Sequence, residues 1–208
     1  RCAYFVMALS IAEAHGDLRA QEYLGAVFAT LAEPVRRNGG SVDDYVGDLA
    51  MITWPMRRGL KDARCVTGLF AVLDRIEADA AAWTTRFGTV PRLRAALHGG
   101  SVVTAEVGVD RHKIAYFGDA VNVTSRIESL CRPLGVGILI SQDLLGRLDP
   151  LPDGVRARPL GLHALRGRGA PLAVATLERG AAVAERPIPG RRPDPRAPDR
   201  PEVVAERR

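Results

Sequence analysis

The stretch that most limits the fold is SVDDYVGDLAMITWP, residues 41–55. Two short strand-like runs, 42–46 and 49–54, are separated only by Gly47-Asp48. Such a pair between strand-like runs reads as a tight antiparallel hairpin. A doubly wound parallel sheet needs a helix after each strand, so the hairpin excludes it. Upstream, Leu18, Tyr23, Leu24, Val27, Phe28, Leu31 and Val35 recur at three- and four-residue spacing, which predicts a helix over 11–37. Pro34 is expected to bend or shorten its end, and Asn38-Gly39-Gly40 to terminate it. A second long helix is predicted over 60–87 and shorter ones over 119–131 and 142–148. Strands are predicted at 2–9, 92–97, 101–108, 114–117, 137–140, 155–165 and 172–177, with Gly99-Gly100 breaking the run between the second and third of these. This order predicts an α+β domain of the ferredoxin-like βαββαβ plan, with a mostly antiparallel sheet and helices packed on one face.

Composition narrows the setting. Residues 180–208 hold six of the fourteen prolines and no apolar periodicity, so the folded domain is expected over 1–179 and a disordered Pro/Arg-rich tail over 180–208. Acids are interleaved with the arginines of that tail and no aromatics accompany them, which argues against a nucleic-acid partner. Of the 29 basic residues only Lys61 and Lys113 are lysines, a skew read as genomic composition bias. No apolar run approaches the ~20 residues a bilayer span requires. Cys2, Cys65 and Cys131 stand far apart with no CxxC pair, as reduced thiols of a cytoplasmic chain would. The first residue is Arg1, so a trimmed chain is expected, with room for a membrane or sensor region ahead of it.

Three places carry candidate chemistry. Asp48 projects from a hairpin tip, where a carboxylate suits a hard cation, although Gly-Asp is also ordinary turn chemistry. In FGDAVNVTSRIESL, Asn122 and Arg126 are four apart and share a helical face, either as an amide–guanidinium grip on an anionic ligand or as a solvated polar face. In LRGRGAP, Arg166 stands in a glycine-rich turn, open to a phosphate or simply part of a basic hairpin.

Together, DYVGDLAMITWP, LRAALHGGSVVTAEVG, FGDAVNVTSRIESLCRPLGVGILIS and LRGRGAPLAVATLE resemble the bacterial form of the class III adenylate/guanylate cyclase catalytic domain, over about residues 2–178. The resemblance implies conversion of ATP to 3′,5′-cyclic AMP and pyrophosphate. It implies Mg²⁺ or Mn²⁺ held by two aspartates, an Asn/Arg pair that orients the ribose and stabilises the transition state, and a basic residue on the triphosphate. Asp48 matches one metal aspartate, Asn122 and Arg126 the pair, and Arg166 the triphosphate contact. It further implies a homodimer in which each site takes its aspartates from one chain and its Asn/Arg pair from the other.

The sequence departs from the family at three points. No Asp or Glu precedes Glu13. Ungapped anchoring on Ile11-Ala12-Glu13 puts Tyr4 where the first metal aspartate belongs, and anchoring on Phe5-Val6 puts Met7 there. Asp44 stands where adenylate-specific members often carry Lys, and Ala115 where they often carry Asp or Thr, at the positions that contact the base. The alternative reading is a catalytically degenerate cyclase-homology domain that serves as a dimerisation or regulatory module. His98 matches a recurrent family histidine and is expected to be structural.

Overall fold

A computed structural model describes residues 2–11, 17–107, 113–148 and 150–180. The chain runs β1 (Cys2–Ile11), α1 (Asp17–Arg37), β2 (Ser41–Val46), β3 (Leu49–Pro55), α2 (Met56–Leu60), a 3₁₀ turn (Lys61–Ala63), α3 (Arg64–Ala78), α4 (Ala80–Phe87), β4 (Leu93–Val107) and β5 (Lys113–Phe117). It continues through α5 (Asp119–Leu134), β6 (Ile138–Ser141), α6 (Gln142–Leu145), β7 (Val155–His163) and β8 (Leu172–Arg179). The sheet order is β2-β3-β1-β4-β6-β8-β7, with β5 paired to β4 alone. Among the described residues only the β4–β6 pair is parallel. The α+β class and the mostly antiparallel sheet are therefore as expected.

Helices cover both faces rather than one. Ala95 and Leu97 of β4, with Ile138 and Ile140 of β6, pack with Tyr23, Val27, Leu31 and Val35 of α1 and Leu69, Val72 and Ile76 of α3. The intervening Ala96 and Leu139 pack instead with Val123, Ile127 and Cys131 of α5. Successive strand residues point to opposite faces, so α5 lies across the sheet from α1 and α3. The apolar runs of β4 and β6 are buried on both parities, as a strand sandwiched between two helix layers must be. Val123 and Ile127 are fully buried, each worth about 2 kcal/mol of transferred apolar surface.

Several boundaries moved for identifiable reasons. Ile11 belongs to β1, and residues 12–16, where the first helix was expected to begin, lie outside the described residues. α1 continues through Pro34 to Arg37. The Pro34 carbonyl is taken up by the Asn38 side chain, whose Nδ2 donates to it at 2.8 Å. The long second helix is broken into three pieces. Asp62 and Ala63 adopt positive φ ahead of α3, and Asp79 separates α3 from α4. β4 is continuous through Gly99-Gly100 instead of breaking there. Except for Gly180, the predicted tail lies outside the described residues.

Candidate active site

The hairpin forms as read. Gly47, at φ +61, and Asp48 make the two-residue turn between β2 and β3, with Asp48 exposed. In the sheet, Leu49 pairs with Ser10 of β1, and Ser10 pairs with Arg94 of β4. Tyr4 pairs with Pro55 and Met7 with Ile52. At about 3.4 Å per residue, Tyr4 is roughly 20 Å and Met7 roughly 10 Å along the strand from the Ser10 level. Neither stands beside the turn. The β1 residue at the level of the Asp48 turn is Ser10, because register here is set by strand pairing and not by counting from the helix.

Asp44 lies opposite Met51, just past a bulge at Asp43, and its Oδ1 accepts the Tyr45 N–H at 2.8 Å. Asp43 accepts the hydroxyl of the buried Thr53. Ala115 pairs with Ala105 in the β4–β5 arm.

α5 starts at Asp119, the first residue of the expected helix. A Cβ on Gly118 would stand 2.7 Å from the Ser101 carbonyl oxygen, so the chain turns tightly against β4 before Asp119 enters the first helical turn. Gly100 lies under the same turn, and a Cβ there would stand 2.8 Å from Ala120 Cβ. Asn122 is exposed and Arg126 half-buried on that helix. The Arg126 guanidinium runs to the β7–β8 connection, where a Cβ on Gly167 would meet its two terminal nitrogens at 3.5 and 3.6 Å. Gly167 has φ +72, in the region that favours glycine, and the Arg168 N–H closes the turn on Leu165 O at 3.0 Å. Arg126 and Arg166 line one cleft of about 560 Å³ with Ser129, Leu130, Leu165 and Gly167. Two guanidinium groups on a solvent-open cleft make a strong anion cradle.

Asp48 is not part of that cradle. α5 begins over Gly100, six residues along β4 from Arg94, so the hairpin tip and the first turn of α5 are offset by roughly 20 Å along the strands. Close to the hairpin tip, Tyr45 and Val46 are exposed, and Val103, Val107 and Phe117 are exposed on the β4–β5 arm.

Two contacts near the cradle escaped the sequence reading. Arg168 Nη1 lies 3.7 Å from Asp119 Oδ2, and buried Glu128 of α5 pairs with Arg94 Nε at 3.2 Å. His98 is buried as a structural residue, with Nδ1 2.8 Å from Ser141 Oγ. Burial, then the neighbouring Arg168 charge, pulls its pKa down, so the ring is uncharged at neutral pH. Burial pushes the thiols of Cys65 and Cys131 up to about 12, which leaves both inert.

Residues 9–175 match the family described as the adenylate and guanylate cyclase catalytic domain, and the chain belongs to that family. It is 60% identical over 171 residues to adenylate cyclase 2 of Rhizobium meliloti (strain 1021), a match that covers 82% of this chain and 47% of the relative. The chain thus spans about half the length of that relative. Its fold is like that of the adenylyl cyclase CyaB from P. aeruginosa, with TM-score 0.71 at 19% identity over 87% of this chain and 96% of the other. It is also like the guanylate cyclase domain of RhGC from Catenaria anguillulae, with TM-score 0.67 at 18% identity over 86% and 97%.

Domains of this family bind nucleotide, act as dimers and generally use a divalent metal. β1, the strand beside the hairpin tip, offers Asp48 no second carboxylate. Asp48 is a single exposed carboxylate, β1 carries no acid, and no group of three potential ligands gathers among the described residues. No helix is long and apolar enough to cross a membrane among the described residues.

Proposed function

We propose that this chain is a nucleotide cyclase that converts ATP to 3′,5′-cyclic AMP and pyrophosphate as a homodimer with shared sites. The observation that carries this is the meeting of Arg126 and Arg166 in one cleft, one helical turn beyond Asn122. The 60% identity to a relative named adenylate cyclase supports the activity, and favours an enzyme over a purely regulatory module.

The reaction forms a bond between the ribose 3′ oxygen and the α-phosphorus, breaks the bond to the β-phosphate, and releases the hydroxyl proton. Negative charge grows on the α-phosphoryl oxygens and on the leaving pyrophosphate. Arg126 stabilises the first and Arg166 the second, while the Asn122 amide holds the ribose so that its 3′ oxygen lies in line. A divalent metal, Mg²⁺ or Mn²⁺, would be held by Asp48 and the triphosphate and would supply charge neutralisation on the leaving pyrophosphate. What these side chains contribute is orientation and charge compensation. Asp44 and Ala115 do not reproduce a Lys/Asp adenine code, so base choice rests on other contacts.

Asp48 does not line the cleft of Arg126 and Arg166, so a second copy would complete each site by bringing the carboxylate of one chain to the arginines of the other. The exposed Tyr45, Val46 and Phe117 are the apolar surface that such a copy would cover. The test mixes two variants, Asp48→Asn and Arg126→Ala, each expected to be inactive with ATP and Mn²⁺. In an equal mixture half of the dimers are heterodimers with one intact site of two, so about a quarter of wild-type activity should return. A wild-type dimer that makes no cyclic AMP at high enzyme concentration would refute the activity. A mixture that stays silent would refute the sharing.

A further inference from the structure

The RGRG turn between β7 and β8 carries two arginines that the structure treats differently. Arg166 lines the cleft with Arg126 and meets no carboxylate among the described residues. Arg168, on the other side of Gly167, faces Asp119 in the first turn of α5 at 3.7 Å. Asp119 follows Gly118, where the backbone runs so close to β4 that a Cβ would stand 2.7 Å from the Ser101 carbonyl oxygen. His98 lies beside this pair, buried in β4 and hydrogen-bonded to Ser141 at the end of β6. The charged groups that act on its ring are Arg168 of the turn, Asp119 of α5 and Asp143 of α6. An uncharged imidazole leaves Arg168 free to engage Asp119, whereas an imidazolium would repel the guanidinium and compete for the carboxylate.

We propose that Asp119 and Arg168 form a latch that fixes the β7–β8 turn against the first turn of α5, so that Arg168 is a positioning residue that keeps Arg166 in register with Arg126. This rests on the cyclase reading above for its consequence, though not for its geometry. The pair is too exposed, at 34% for Arg168 and 75% for Asp119, to matter much to global stability. Its effect is local: it joins the two elements that carry the cleft arginines, and Gly167, which lines that cleft with Arg126, lies in the turn between Arg166 and Arg168. The division of labour follows. Losing Arg166 removes a phosphate contact, and losing Arg168 lets the turn that carries Arg166 drift.

Two readouts test this. Amide hydrogen exchange across residues 164–170 of the full chain needs no substrate. Asp119→Asn and Arg168→Gln should each speed exchange there, and the double variant should be no faster than either single. Unchanged exchange in both singles, or additive effects in the double, would overturn the latch whether or not the chain is a cyclase. In the activity assay each single should lower kcat about tenfold with little change in the KM for ATP, because misplacement and not lost affinity is the defect. The charge reversal D119R/R168D should recover most of the loss, while Arg166→Met should raise KM and be indifferent to the reversal. If Arg168→Gln raises KM as Arg166→Met does, Arg168 is a phosphate contact and the proposal fails. Should the reversed pair not fold, the D119N/R168Q cycle in kcat decides: a double equal to either single supports the latch, and multiplied losses sink it. A wild-type chain without cyclase activity would refute the cyclase reading alone and leave the exchange result standing.

Discussion

Gly100→Ala is the most informative single substitution, because it perturbs the site through the backbone frame and touches none of its polar groups. The added methyl would stand 2.8 Å from Ala120 Cβ. Carbon atoms sit best at about 3.5–4.0 Å, so α5 must retreat by roughly 1 Å at its first turn. Overpacking of this kind costs about 1–3 kcal/mol of stability. The displaced turn leads directly into Asn122, and a misplacement near 1 Å costs about 100-fold in rate where orientation supplies the catalysis. The expected result is a folded, somewhat less stable protein with kcat down roughly 100-fold. Ala120→Gly removes the atom that is struck, so the double variant should regain most of the rate. It should do so despite a lower Tm, since glycine in a helix costs about 1 kcal/mol relative to alanine. The assay is cyclic AMP formation with parallel thermal melts on all three variants. Wild-type kcat in Gly100→Ala, or a folded double variant no faster than Gly100→Ala, would refute the claim that this contact sets the position of α5.

The remaining expectations are more local. Asn122→Ala should lower kcat by about 100- to 1,000-fold without shifting Tm, because the residue is exposed and its role is confined to the transition state. Ser10→Asp should tighten Mn²⁺ binding about tenfold or more by electron paramagnetic resonance, since it adds a carboxylate level with the Asp48 turn. Tyr4→Asp and Met7→Asp, displaced along the strand, should not. His98 is held neutral by burial, so its folded pKa lies below the ordinary value near 6.5. The unfolded chain then binds the proton more readily, and the contribution of His98 to stability is complete above the unfolded pKa and is lost as pH falls toward the folded one. Thermal melts between pH 7.5 and 5.5 should show a smaller decline in His98→Gln than in wild type.

Much of the local structure was legible because it is written in neighbouring residues. Gly47-Asp48 announced its hairpin, and the spacing of Asn122 and Arg126 their shared helix. Gly99-Gly100 misled as a strand break, when the small residue is needed for the close approach of α5 to a continuous β4. Tyr4 and Met7 come from counting along the chain, whereas strand pairing sets Ser10 level with the turn.

Order along the chain thus dictates which residues are apolar, where the chain turns, and which polar groups lie one helical turn apart. The tertiary structure alone decided that α5 covers the face opposite α1 and α3, that Ser10 is level with the Asp48 turn, and that Arg126 reaches Gly167 while Arg168 reaches Asp119. The physical reason is that periodicity states that a face must be buried but not by what. That choice is made by strand register and helix packing between segments distant in the chain, where side chains meet only after the sheet has closed.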